Sequence, residues 1–420
     1  MNQDRTPAPV GAWSAVTLLW FVGGSAYLTR TMLTTMRASI LRDIPMSDAQ
    51  FGLLTSTFLW FYAAVGPLGG YIGDRFRRRA VILVSLALWS AITVLTAFAK
   101  SFWVLLPLRA LLGLAQACYV PTGVALVTDF HRGPTRAFAT GINLTGMVCG
   151  SIIGSSCGWL ADRYNWHAAF LIIGLPSLAY TGLVYFFLKD PPRERASAAG
   201  PVAPELVPGV SFRDALHRLS RPGPFYWLVA SMAIQGAISW IIIGWMPTVM
   251  RERFHLNQGT AGLSALGFLY VAQITGLLAG GRWSDRWTRS NPLARILLPA
   301  FSIMLISPLF LLTGWIDSIW LTLLSLAAYG LAMGFMGANQ MAIVCLVVDA
   351  RYRATAMGIL NAGTAIAGGL AIYGVGALRD AGVGVRLILA FAGVGVFLCG
   401  LSLWRVSRPL RTRGPSALTE

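Results

Sequence analysis

The sequence predicts an all-α membrane protein, with twelve transmembrane helices arranged as two pseudo-symmetric six-helix bundles. Three observations predict it. Of the 420 residues, 56% are hydrophobic and only 12% charged, about half the charge fraction of an average soluble domain. Apolar stretches close to the ~20 residues that span a bilayer recur along the whole chain. The two halves also repeat each other's motifs about a central segment rich in Pro, Ala and Gly.

In chain order, the apolar runs place helices at 13–37, 48–71, 80–98, 102–129, 136–160, 166–188, 224–250, 259–281, 293–314, 318–346, 354–378 and 384–405. Residues 1–11 lack the charged start and cleavage pattern of a signal peptide, so the first span is expected to be retained. Between the sixth and seventh spans lies DPPRERASAAGPVAPELVPG, residues 190–209, with the composition of a flexible linker. SFRDALHRLS (211–220) follows it and reads as a short amphipathic helix at the membrane surface. The expected domains are a bundle over 1–189, a linker over 190–222 and a bundle over 223–420.

Charge sets the orientation. The net charge of +17 would suggest nucleic acid in a soluble protein, but no aromatic-plus-basic surface module accompanies it, and nucleic acid is not an expected partner. With both termini cytoplasmic, 23 of the 33 Lys and Arg fall on the cytoplasmic side, which satisfies the positive-inside rule. A multi-pass protein of a bacterial inner membrane, acting as a monomer, is the expectation. The five cysteines all fall in apolar spans, without a CxxC spacing, and read as small buried residues. No nucleotide-binding loop, metal-ligand cluster or Ser/His/Asp set is visible, so neither an enzyme nor a cofactor is expected.

The internal repeat is explicit. GGYIGDRFRRR (69–79) follows the second span and GGRWSDRWTRS (280–290) the eighth, each with Asp and Arg at the same offset from two glycines. VTDFHRGPTRAFATGIN (127–143) follows the fourth span and VVDARYRATAMGILN (347–361) the tenth. Two copies of a six-helix unit point to a site between the halves. Asp74, Arg75, Asp285 and Arg286, with the matching pairs Asp129–Arg136 and Asp349–Arg353, are the candidate gating groups, Asp74 as a helix cap and partner of a nearby Arg. For the arginine run 75–79, topology alone is the plainer account.

The loop GYIGDRFRRR resembles that between the second and third helices of the major facilitator superfamily. LRALLGLAQA (108–117) resembles its fourth-helix motif, and Gly146, Gly150, Gly154 and Gly158 echo its fifth-helix glycines. Two branches fit. AYLTR (26–30), LALWSAITVLTAF (86–98) and WMPTVM (245–250) are similar to the anion:cation symporters, which carry sugar acids and other organic anions. GYIGDRFRRR with QACYVPTG (116–123) is similar to the Spinster-like branch, which implies export of lysolipid, sphingoid or other amphiphilic compounds. The first branch implies a secondary transporter of small organic anions working by alternating access. A transport-dead receptor lacks any appended signalling segment to support it.

Arg30 and Arg109 lie inside spans, where an arginine costs at least ~2.5–3.5 kcal/mol. Arg30 either snorkels to headgroups or clamps a substrate carboxylate, for which a planar guanidinium is suited. In the resembled carriers the arginine at this place contacts substrate. Tyr27 shares its helical face, as lining aromatic or as site wall. Arg109, Gly113 and Gln116 share a face of the fourth span. Every acidic residue falls in a loop or at a span end. The resembled symporters carry an acid immediately before the first-helix Arg and another at the fourth-helix place of Gln116. Here those positions are Thr29 and Gln116, which do not titrate. Exchange or uniport of an anion is therefore expected ahead of proton symport. Asn143, Gln235, Gln340 and Asn361 are further candidate contacts. Interhelical hydrogen bonding is the plainer account of each.

Overall fold

The computed structural model describes residues 11–131, 135–189, 223–349 and 352–411. Fifteen helices are described: α1 Ala12–Thr35, α2 Arg37–Asp43, α3 Asp48–Arg75, α4 Arg78–Thr96, α5 Phe102–Ala117, α6 Tyr119–Phe130, α7 Arg136–Ser155, α8 Cys157–Arg163, α9 Trp166–Phe187, α10 Pro224–Phe254, α11 Gln258–Thr288, α12 Ala294–Trp315, α13 Ile319–Val347, α14 Arg353–Asp380 and α15 Val385–Arg411. The described residues contain no strand. The expected linker and the amphipathic helix at 211–220 lie outside the described residues.

Fifteen helices make twelve spans because three spans are broken. α5 stops at Cys118 and α6 resumes at Tyr119. Pro121, three residues on, has no N–H and crowds the carbonyl four residues back, which ends the regular ladder. α7 breaks at Ser156, after Gly154 and Ser155; Gly/Ser pairs are a recognised cause of kinks. α1 breaks at Met36, where Thr34 and Thr35 hydroxyls donate to the Thr31 and Met32 carbonyls (2.9 and 3.0 Å) and compete with the helix ladder. Among the described residues, ten helical stretches are long and apolar enough to cross a membrane by themselves; α1 and α3, at 24 and 28 residues, have the length to complete twelve. The chain is a multi-pass membrane protein.

The chain divides into two compact units. The first holds α1 to α9 except Ser47–Gly52, and takes in Leu256–Leu263, the start of α11. The second holds α10 to α15 otherwise, together with Ser47–Gly52. Two helix starts are thus grouped apart from the rest of their helices. Gln258 is buried in the first unit, where its amide donates to Ser39 Oγ and Asp162 Oδ1, both at 2.6 Å. In the second, Asp380 accepts the backbone N–H of Asp48 and Ala49 at 2.9 and 2.8 Å. This satisfies two of the four orphan donors at the start of α3.

In the first unit α1 packs closely along α7. A Cβ on Gly150 would strike the Gly24 backbone, and one on Gly24 would lie 3.2 Å from the Gly146 carbonyl. The glycines are thus the contact surface itself, as expected where lipid supplies no hydrophobic drive and backbones must come close to attract. α4 packs on α9, joined by Ser90 and Ser177 hydroxyls 2.7 Å apart. In the second unit α12 packs on α15, with Ser307 Oγ donating to the Gly393 carbonyl (2.9 Å), and α10 packs on α14. The outward faces are apolar: Leu305 is 81% exposed, Trp320 76% and Trp103 74%. Such exposure is tolerable against acyl chains and prohibitive in water.

At one end of the second unit Asp317 sits between Arg253 Nε (2.5 Å) and Arg386 Nη2 (2.9 Å). The hydrogen bond from Arg253 and its charge, helped by Arg386, hold the carboxyl below the usual carboxylate range. A depressed folded-state pKa contributes stability above the unfolded value, and that stability is lost as pH falls through the folded value. Asp317→Asn should therefore unfold at lower temperature than the parent near pH 7, with the gap closing as pH drops below about 4. Thermal unfolding in detergent across pH measures this. Gly150→Val forces α1 from α7, and a cost of about 1–3 kcal/mol or more should appear as a lower unfolding temperature and a reduced monodisperse fraction in size-exclusion chromatography.

Candidate functional site

Four of the residues singled out in the sequence meet in the first unit. Arg30 is 7% exposed and does not snorkel. Its Nε donates to Gln116 Oε1 at 2.8 Å. The Gln116 amide is oriented by its own donations, to Thr29 Oγ1 at 3.0 Å and to the Ala26 carbonyl at 3.3 Å. Those two bonds consume the amide hydrogens and leave the oxygen aimed at Arg30. The partner of the guanidinium is therefore a dipole, and its full positive charge remains.

Aromatic rings supply the rest of the cradle. The guanidinium carbon lies 4.3 Å from the Tyr27 ring centroid, 4.6 Å from Tyr62 and 5.2 Å from Phe58. Ring faces attract a cation by about 2 kcal/mol each when desolvated, so three rings offset much of the burial cost without cancelling charge. Phe58 and Tyr62 are one helical turn apart on α3 and stack at 6.0 Å with a 22° interplanar angle. Sequence reasoning misses both, because they sit in the featureless run TFLWFYAAV. Their spacing of four is the available signal.

Arg109, 2% exposed, places its guanidinium 5.6 Å from the same Phe58 ring. The two cationic carbons are thus within about 11 Å of each other, a repulsion of at least about 1.5 kcal/mol at an effective dielectric of 20. Gly113 makes this possible: a Cβ there would clash with the Phe58 carbonyl, so the glycine lets α5 lie directly on α3. Among the described residues no carboxylate contacts either guanidinium. Arg30 Nη2 and Arg109 Nε are buried donors with no acceptor. Unsatisfied charged donors at this depth are costly, and an anion would satisfy them.

The other candidates are dispersed. Asn143 is 1% exposed on α7, and neither its amide oxygen nor its nitrogen has a partner. Gln235, Gln340 and Asn361 belong to the second unit: Gln235 is half-buried with Oε1 unpartnered, Gln340 is half-buried and Asn361 is exposed.

The described gating candidates make the following contacts. Asp129 pairs with Arg78 at the start of α4, which also donates to the Ala125 carbonyl (3.2 Å); Arg136 is exposed. Arg353 turns to the Val348 and Cys345 carbonyls, both at 3.3 Å. It thereby caps the negative C-terminal end of α13, and Asp349 is exposed. Asp285 pairs with Arg295 at 3.0 Å, and Arg286 is exposed. Arg75 is exposed, and the Asp74 side chain lies outside the described residues. Asp129→Asn should lower the unfolding temperature by an amount equivalent to roughly 0.5–1 kcal/mol, while Arg136→Gln leaves it unchanged, in parallel thermal scans.

The sequence profile of the Major Facilitator Superfamily matches residues 19–371, with a second match over 274–420. A probable sulfoacetate transporter of Cupriavidus necator is 28% identical over 370 residues, 84% of this chain and 83% of its own length. A hexuronate transporter of Bacillus subtilis is 25% identical over 418 residues, 97% of this chain and 96% of its own. Protein spinster homolog 1 of Xenopus tropicalis is 26% identical over 322 residues, 71% of this chain and 59% of that longer protein. In fold, the chain is similar to a bacterial homolog of the human lysosomal transporter Spinster, crystallised inward-facing and unoccupied. The TM-score is 0.81 at 20% identity, over 98% of this chain and 100% of that one.

Proposed function

The chain belongs to the Major Facilitator Superfamily, and we propose that within it this protein carries small organic anions, bearing carboxylate or sulfonate groups, by alternating access. The observation that carries the proposal is the Arg30 guanidinium, buried and caged, hydrogen-bonded to a neutral amide and keeping an unsatisfied Nη2 donor. The rings lie close around the guanidinium and Gln116 takes Nε, so Nη2 is the donor left for an oxyanion. Arg109, beside the same Phe58, supplies a second positive charge for an anion with two acidic groups. The likeness to transporters of sulfoacetate and hexuronate supports the same class.

The coupling follows from the residues at 29 and 116. A hydroxyl and an amide cannot take up or release a proton at working pH, so the charge of the site is constant. An empty cationic site crosses a low-dielectric path at a penalty that a bound anion relieves. This favours anion exchange or uniport over proton symport. The distribution of Lys and Arg supports a cytoplasmic location for both termini.

Uptake of labelled sulfoacetate and hexuronates into proteoliposomes tests the reading. Arg30→Ala should abolish uptake of whichever anion the parent carries, and full uptake by that variant would overturn the assignment. Gln116→Glu should make a pH-insensitive carrier pH-dependent. The introduced carboxylate, once ionised, neutralises Arg30, so uptake should fall at least about tenfold at pH 8 and recover toward pH 5 as that group is protonated. The Spinster-like amphiphile reading, supported by the Xenopus relative, predicts instead that lysolipids and not small anions raise the unfolding temperature.

A further inference from the structure

A second set of arginines is arranged for a different ligand. At the end of the second unit where α10 begins and α15 ends, Arg405 and Arg408 are exposed. Each guanidinium lies over a tryptophan ring: Arg405 over Trp227 of α10 at 4.7 Å, and Arg408 over Trp404, one turn back on its own helix, at 4.1 Å. Among the described residues neither arginine has a carboxylate or hydrogen-bond acceptor. Both tryptophans pack against the core cluster of Phe225, Leu228, Leu403, Val406 and Leu410. Tyr226, 58% exposed, stands beside Trp227 with ring centroids 5.8 Å apart.

Stacking changes what these arginines can do. A guanidinium held against a ring is partly ordered beforehand, so less side-chain freedom is lost when its N–H groups bind. Two such forks, three residues apart on α15, present bidentate donors to one phosphate or two neighbouring ones. The depth fixes the source. α15 is apolar enough to cross a membrane up to Leu410, and Trp and Tyr concentrate where hydrocarbon meets headgroups. A phosphate at that level is part of the bilayer. We propose that Arg405 and Arg408, on Trp227 and Trp404, form a headgroup site for an anionic phospholipid in the leaflet at this end of the second unit.

The test reconstitutes the full chain in nanodiscs of phosphatidylcholine with increasing phosphatidylglycerol, reading bound lipid by native mass spectrometry and stability by thermal unfolding. The parent should retain phosphatidylglycerol and gain unfolding temperature. At about one salt-sensitive contact's strength per arginine, Arg405→Gln with Arg408→Gln should weaken retention roughly thirty-fold. Arg405→Lys with Arg408→Lys keeps the charge but not the stacked fork, and should weaken it by an intermediate amount. Arg282→Gln with Arg286→Gln removes two exposed charges from the same unit without touching the stacked pair, and should leave retention unchanged. Equal loss in the two Gln pairs, or full retention in Arg405→Gln/Arg408→Gln, would overturn the site. So would an equal stabilisation of the parent by inorganic phosphate in pure phosphatidylcholine.

Discussion

The first unit is organised around one hydrogen bond, from Arg30 Nε to Gln116 Oε1. It joins α1 to α5 through a cation and an amide oxygen, and the choice of amide is what matters. A carboxylate at the same place, when ionised, would offset the charge of the cation, and its protonation would switch that charge on and off. With the amide, the pair is geometrically fixed by Thr29 and Ala26 and electrically open. The aromatic rings of Tyr27, Phe58 and Tyr62 make that state tolerable, since they stabilise the cation without neutralising it.

Glycine makes the arrangement sterically possible. Gly113 lets α5 lie against α3 so that Arg109 and Gln116, on the same face, both reach the site. Gly24 and Gly150 do the same for α1 against α7, which fixes the helix carrying Arg30 and Tyr27. In a bilayer there is no hydrophobic term to hold helices together, so backbone contact and interhelical hydrogen bonds must supply the attraction. The local chemistry of the guanidinium and the global packing of the bundle therefore rest on the same residues.

Much of this is legible in the sequence, for reasons that differ by residue. The spans are readable because hydrocarbon thickness imposes a length, while the breaks at Cys118 and Ser156 leave the hydropathy of their spans unchanged and are marked only locally, by Pro121 and by the Gly154–Ser155 pair. Arg30, Arg109 and Gln116 stand out as polar groups in oil. Phe58 and Tyr62 do not, since an aromatic in an apolar run carries no compositional signal, and only the fold brings it to a cation. The gate pairs go astray for a geometric reason. Sequence proximity favours Asp129 with Arg136, but Arg136 faces outward, and Arg78 from a distant helix reaches Asp129. The exchange of Ser47–Gly52 and Leu256–Leu263 between units is equally invisible, because nothing in a helix's composition says against what its first turn packs.

The neutral Gln116 has a bioenergetic consequence. A carrier whose centre gains and loses protons is driven by the pH gradient. A carrier whose centre keeps its charge moves, as a uniporter, net charge with each anion and responds to voltage, at about 2.3 kcal/mol for each charge carried through 100 mV; as a one-for-one exchanger of equal charges it moves none and responds to the two anion gradients alone. Neither mode requires alkalinisation or acidification on either side.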